Sequence, residues 1–251
     1  MNLDEICYKN TPIKRVIIKI DFLNEIQEIN ESLPKSLVDV IKNSFPVAEP
    51  RQIVGREIQI SDSSVTENNK NVKEWHFHTE ERNATLIIKE SFFAIQINNY
   101  ISFEKINEVL REIKNIFFTS FPTLLTRRIG LRYINEINIK EAEPLKWEKY
   151  INSHLLCNFN ATPDPQNIIR SFNNLEVKYN DIMLKFQFGI INPDYPAIIK
   201  KKNFILDLDA SFSGVLQQFE IDNYITKLHE IIQKQFEYSI TQDLREYFEM
   251  K

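Results

Sequence analysis

Glycine is scarce in this sequence: it occurs at only 4 positions, which are Gly55, Gly130, Gly189 and Gly214. Loops that cradle phosphate groups with their backbone need several glycines at short spacing. Neither a Walker A sequence nor a dinucleotide fingerprint can be written with these residues. The sequence therefore predicts no bound nucleotide cofactor, although phosphate binding through side chains remains open.

Cysteine and long apolar runs are also lacking. The 2 cysteines, Cys7 and Cys157, lie far apart and form neither a metal-spaced pair nor a disulfide framework, which favours a reducing compartment. No run of about 18 apolar residues is present, so a membrane-spanning helix is not expected. The first residues also lack the basic and apolar segments of a secretory signal. Together these absences predict a cytoplasmic protein that does not associate with membranes.

The charge balance argues against a general nucleic-acid binder. The chain of 251 residues carries 31 basic and 35 acidic side chains, a net charge of −4, so it has no overall basic footprint. The basic run at 200–202 is short and is typical of a solvated loop. Hydrophobic residues make up 43% of the chain, enough for one large globular domain or two small ones.

Alternating and helical patterns follow one another along the chain. Strands are predicted at 16–22, 56–60, 74–79, 84–90, 92–98, 126–139, 175–179, 182–191 and 203–212. Helices are predicted at 34–45, 102–118, 144–150 and from 222 onwards, with caps at Ser102, Asp222 and Thr241, while the polar segment 61–73 is typical of a loop. Because neighbouring strands are close in sequence, the pattern predicts an α+β fold of antiparallel sheets with helices packed on one face.

A domain boundary is predicted at the segment 158–166, which contains Pro163 and Pro165. It would separate a first α+β lobe, residues 1–157, from a second, residues 167–251. The order of strands and helices is similar in the two parts, which suggests related lobes. One continuous domain is the alternative.

The strand around Gly130 carries the first candidate site. Because strand side chains alternate, Arg128, Gly130 and Arg132 share one face, and Arg127 lies on the other. Guanidinium groups suit phosphate or carboxylate, and Gly130 leaves room between them, so the pattern suggests a site for an anionic ligand. The alternative is that the arginines pair with acidic residues of a neighbouring strand.

A second candidate is the run that contains His76, His78 and Glu80. On a strand these side chains share a face, and imidazole and carboxylate groups suit zinc or iron. The same spacing arises whenever a half-buried strand turns its polar face to water. No metal site is therefore favoured, and this set is kept as the alternative.

Asp207 and Asp209 form the third candidate. Both carboxylates project from one strand face, and such a pair can hold magnesium for phosphoryl transfer. They would be the catalytic residues of a metal-dependent phosphodiesterase or nuclease. The alternative is the solvated face of an antiparallel strand.

Several local motifs resemble one prokaryotic family. The motifs begin at Tyr8, with the pattern Y-x-N-x-P, and at Arg128, with R-I-G-L-R-Y-I-N; further matches lie at 205–209 and 236–241. The family is uncharacterised, of similar length, and sporadically distributed among bacteria and archaea. The resemblance implies one architecture along the chain and carries no activity. The distribution suggests an accessory gene of a mobile-element, defence or toxin–antitoxin context.

The sequence as a whole favours a non-enzymatic binding protein for a protein partner or an anionic ligand. Absent nucleotide loops, cysteine clusters and nucleophile motifs lower the expectation of an enzyme. The metal-dependent phosphodiesterase or nuclease is the first alternative. A nucleic-acid-binding accessory factor that uses Arg127, Arg128 and Arg132 is the second.

Overall fold

A computed structural model describes residues 8–61 and 64–249, with only the backbone described for residues 54–61 and 64–71. The strands are β1 Ile13–Phe22, β2 Val47–Ser61, β3 Ser64–His78, β4 Ala84–Lys89, β5 Phe92–Ile97, β6 Thr126–Ile139, β7 Ser171–Tyr179, β8 Ile182–Ile190 and β9 Lys202–Leu216. The helices are α1 Lys35–Ser44, α2 Phe103–Ser120, α3 Gln218–Ser239 and α4 Gln242–Glu249. Among the described residues, none of these helices is both long and apolar enough to cross a membrane.

The nine strands form one antiparallel sheet in the order β2-β3-β4-β5-β1-β6-β9-β8-β7. Strand β6, which carries Arg127, Arg128 and Arg132, therefore lies inside the sheet. The two edge strands of the sheet are β2 and β7. This architecture confirms the predicted α+β class with an antiparallel sheet and helices. The order also shows that β2 and β7 each have one neighbouring strand, whereas the other strands have one on both sides.

The chain forms two compact units, each built from separate segments. Unit 1 comprises Met1–Val16, Gly130–Ser213 and Asn223–Lys251, and unit 2 comprises Ile17–Ile129 and Gly214–Asp222. The boundaries fall within β1, β6, β9 and α3, so they do not coincide with the predicted boundary after residue 157. The predicted linker 158–166 lies inside unit 1 and contains short 3-10 turns.

The core of unit 2 follows from the predicted periodicity. Alternate residues of β1, among them Phe22, are buried and pack against the apolar stripe of α2. The rings of Phe93 in β5 and Phe117 in α2 stack with centroids 4.8 Å apart, and Phe22 lies 5.6 Å from Phe117. The backbone N–H of Lys105 donates to the Ser102 hydroxyl at 3.3 Å, which confirms the predicted cap.

The core of unit 1 is covered by α3. Alternate side chains of β6, β8 and β9 are buried, and two residues of α3 contact them. Tyr133 Oη lies 3.1 Å from Nδ1 of His229, and the Phe212 and Tyr224 rings have centroids 4.1 Å apart. These contacts place one face of the sheet in unit 1 beneath α3.

His229 makes the fold sensitive to acid. Burial lowers its pKa from 6.5 to about 4, so the folded protein binds this proton less readily than the unfolded chain. The neutral His229 side chain makes its full contribution to the free energy of unfolding above pH 6.5. As the pH falls towards 4, this contribution is lost, and the free energy of unfolding falls by roughly 3 kcal/mol. Urea unfolding of the wild type and of His229→Gln at intervals through this window measures it. We expect the difference in unfolding free energy between the two proteins to change over that window, and a constant difference would contradict the assignment.

Three predicted elements differ in the structure. Residues 64–73, predicted as loop, belong to β3, whose 15 residues pair with β2 from end to end. The pairing satisfies backbone groups whatever the side-chain polarity, so a polar composition did not prevent a strand. Residues 144–150 form turns without a helix, and α3 begins before Asp222, which lies inside it. The predicted cap at Thr241 is confirmed, since the Leu244 N–H donates to its hydroxyl at 3.4 Å.

Candidate interaction site

Arg132, the first predicted ligand residue, is already bound by a carboxylate of its own unit. Its Nε and Nη2 donate to the two oxygens of Asp207 at 2.8 and 2.5 Å, a bidentate pair between β6 and β9. The hydrogen bond to Asp207 raises the pKa of the Arg132 guanidinium, and the nearby Asp209 adds to the effect. The Arg132 guanidinium that would bind an anion is therefore already paired with a carboxylate of the neighbouring strand β9. This is the alternative stated from the sequence, in which the arginines pair with acidic residues of a neighbouring strand.

The other predicted arginines differ from Arg132 in their surroundings. Arg128 belongs to unit 2, where its Nη1 lies 3.5 Å from Oδ2 of Asp21. The buried Asp21 carboxylate also lies 2.6 Å from Nζ of Lys19. Arg127 is exposed, and Gly130 is buried within β6. Both Arg128 and Arg132 thus neutralise acidic side chains of the sheet.

The predicted catalytic carboxylates belong to the same ion-pair system. Asp207 is 7% exposed and holds Arg132, while Asp209 lies opposite Lys185 of β8 in the strand register. Asp207 is therefore paired with Arg132, and Asp209 has Lys185 as its cross-strand neighbour. Within the described residues, no group of three or more His, Cys, Asp and Glu side chains is arranged to hold a metal ion.

The two histidines do share a strand face, but Glu80 does not join them. His76 Nε2 lies 3.1 Å from Oε2 of Glu74, and His78 Nδ1 lies 3.0 Å from the Thr85 hydroxyl. Burial is the main cause that lowers the pKa of His78. Glu80 is exposed in the turn after β3, where the strand alternation no longer applies. Each imidazole thus has a side-chain partner within the sheet.

β7 presents an unusual surface for a strand of this sheet. In the register with β8, Leu175, Val177 and Tyr179 lie opposite Phe186, Leu184 and Ile182, which are all buried. They therefore stand on the side of the sheet that α3 covers. Leu175 is nevertheless 51% exposed and Tyr179 38% exposed. Among the described residues, the apolar row therefore continues onto β7 but is left exposed there.

A groove lies beside this exposed row. Its volume is about 850 Å³, and its lining includes Tyr179 of β7, Lys234 and Tyr238 of α3, and Arg245 of α4. Tyr238 is 63% exposed, and its ring lies 4.5 Å from that of His154. An apolar strand edge, a groove and an exposed aromatic ring therefore occur together in unit 1.

A hydrogen-bonded network fixes the wall of the groove. Tyr8 Oη donates to Oε1 of Glu237 at 2.8 Å, and Arg245 Nε donates to Oε2 at 2.8 Å. Arg245 Nη2 also donates to the Glu237 carbonyl oxygen at 2.6 Å. Burial and the Glu237 carboxylate raise the pKa of the Tyr8 phenol. The phenol is thus protonated at neutral pH and can donate its hydrogen bond to Glu237.

No family model and no curated protein matches this chain. The function is therefore inferred from the geometry of its own residues.

Exposed apolar side chains concentrate in the part of the chain that contains β7. Between residues 172 and 198 they are Phe172, Leu175, Tyr179, Met183, Ile191, Tyr195 and Ile198. The sequence pattern of β7 did not predict this exposure. Alternation indicates which side chains share the apolar face of a strand, but it does not indicate whether a helix covers that face. Predicting this exposure would have required knowing that β7 is an edge strand of the sheet.

Proposed function

We propose that the chain is a non-enzymatic cytoplasmic protein that binds a protein partner at the β7 edge. The observation that carries the proposal is the exposure of Leu175 and Tyr179 on the sheet side that neighbouring strands bury. An edge strand offers unpaired N–H and C=O groups, and a partner segment can add to it as a further strand. Alternate partner side chains would then cover Leu175 and Tyr179 and reach the groove.

The ion pairs support a protein partner over an anionic ligand. Arg132 is engaged by Asp207 through two hydrogen bonds, and Arg128 lies beside Asp21. An anion would have to displace an internal carboxylate to bind the Arg132 fork. The same pair favours binding over phosphodiesterase chemistry, since a magnesium ion at Asp207 would have to displace Arg132. For a nucleic-acid accessory factor, only Arg127 would remain as an unengaged member of the predicted arginine set.

Photo-crosslinking tests the proposed site. A benzophenone amino acid at position 175 or 179, in cells that naturally make the protein, is expected to give a defined covalent adduct to a protein. The matched control is Ile101, which is 68% exposed and lies in unit 2. Adducts from positions 175 and 179, absent from 101 and lost when the other position is changed to aspartate, would support the edge. Equal adducts from all three positions, or none from 175 and 179, would contradict it.

A further inference from the structure

We propose that the partner strand is β7 of a second copy of this chain, paired antiparallel about a two-fold axis at Val177. This inference rests on the proposed function, because it names the partner of the same edge. It is carried by the order of charged and apolar residues along β7, which reads Ser171-Phe172-Asn173-Asn174-Leu175-Glu176-Val177-Lys178-Tyr179.

Symmetry restricts how two such edges can pair. A two-fold axis that joins two copies edge to edge in one sheet runs perpendicular to the sheet and makes the strands antiparallel. Side chains that oppose each other then lie on the same face. Since side chains alternate along a strand, one residue must oppose its own copy on the axis. Each possible register is therefore named by the residue on that axis.

Charge selects the register with Val177 on the axis. Glu176 of each copy then opposes Lys178 of the other, which gives two ion pairs across the interface. On the face that borders the groove, Leu175 of each copy opposes Tyr179 of the other. The exposed apolar side chains of the two copies would therefore pack against each other. Within their own sheet, Glu176 lies opposite Lys185 of β8 and Lys178 lies opposite Met183. Among the described residues, neither Glu176 nor Lys178 forms a salt bridge within the chain.

Neighbouring registers lack this match. An axis at Glu176 or at Lys178 brings two like charges directly opposite each other, which is unfavourable. An axis at Leu175 places Glu176 against Asn174 and Lys178 against Phe172, so no opposite charges meet. Charged side chains on an open edge discourage pairing with unrelated strands. Here the same two charges admit a strand with the complementary order, and β7 itself has that order.

Charge reversal provides the first test. Glu176→Lys alone and Lys178→Glu alone each turn two attractive pairs into two repulsive ones, whereas the double swap restores both. Sedimentation equilibrium at low salt should show a wild-type dimer, about tenfold weaker association in each single variant, and near wild-type association in the double variant. A wild type that stays monomeric throughout the measured range would overturn the inference. A double swap as weak as the single variants would overturn the register.

Cysteine crosslinking provides the second test, in a background with Cys7 and Cys157 changed to serine. In the Val177 register the two copies of residue 177 have Cα atoms about 5 Å apart, a separation that suits a disulfide. The two copies of residue 175 would lie about 14 Å apart. Val177→Cys should therefore form a covalent dimer on mild oxidation and Leu175→Cys should not. The reverse result would contradict the register.

The two proposals fail in different ways. If the wild type is monomeric and Val177→Cys does not crosslink, self-pairing is wrong. A benzophenone adduct from position 175 to another protein would still support the proposed function in that case. If that adduct is a second copy of this chain, both proposals are supported. Absence of both the dimer and any adduct would overturn both.

Discussion

Replacing Gly189 by alanine is expected to lower the free energy of unfolding by about 3 kcal/mol. Gly189 has φ +131°, a backbone conformation that residues with a side chain rarely adopt. A Cβ atom there would lie 2.1 Å from the carbonyl oxygen of Ser171 and 3.0 Å from its carbonyl carbon. Because the obstructing atoms are backbone, a rotamer change cannot relieve the contact.

The consequence for the sheet is specific. Gly189 lies opposite Phe172 in the register of β7 and β8, so relief requires the first residues of β7 to move away from β8. We expect hydrogen exchange of β7 amides to rise in the variant along with the loss of stability. Gly214→Ala in β9 is the matched control, since among the described glycines only Gly189 has a positive φ. Urea unfolding measures both, and equal losses in the two variants would contradict the assignment.

Arg132→Ala is expected to cost about 3 kcal/mol of stability, because it leaves the Asp207 carboxylate buried without its partner. The expected value is at the lower end for a broken buried pair, since the Arg132 side chain is 36% exposed. Chemical denaturation gives the change in unfolding free energy. This loss would show that the arginine stabilises the sheet.

A double variant separates pairing from packing. Arg132→Met combined with Asp207→Leu removes both charges and keeps apolar volume, so we expect it to be more stable than Arg132→Ala alone. Arg127→Ala is the control for loss of an arginine from the same strand, and because Arg127 is exposed its effect should be under about 0.5 kcal/mol. If the Arg132→Ala protein were as stable as the wild type, the pair with Asp207 would not stabilise the sheet. Arg132 would then again be a candidate ligand-binding residue.

Local periodicity was sufficient for much of the fold. The stripe of α2, the cap at Ser102 and the alternation in β6 each depend on residues a few positions apart, and all three are present in the structure. Such features follow from the helical and strand repeats themselves. The alternation also placed Arg128 and Arg132 on one strand face without naming their partners.

Long-range pairing was outside the reach of the sequence pattern. Arg132 and Asp207 are 75 positions apart, and only the adjacency of β6 and β9 brings them together. Lys202 illustrates the same limit, because its basic run was predicted as a solvated loop. The structure buries Lys202, with Nζ 2.7 Å from Oε2 of Glu141 and 5.3 Å from the ring centroids of Trp147 and Tyr150.

The sequence by itself determined most of the strands and helices and which of their side chains share a face, because those properties repeat over two to four positions. It also excluded glycine-rich phosphate loops. Only the tertiary structure decided that β6 lies between β1 and β9 and that β7 lies at the edge of the sheet. That order depends on pairing between distant segments, and it makes the arginines partners of internal carboxylates while leaving Leu175 and Tyr179 uncovered.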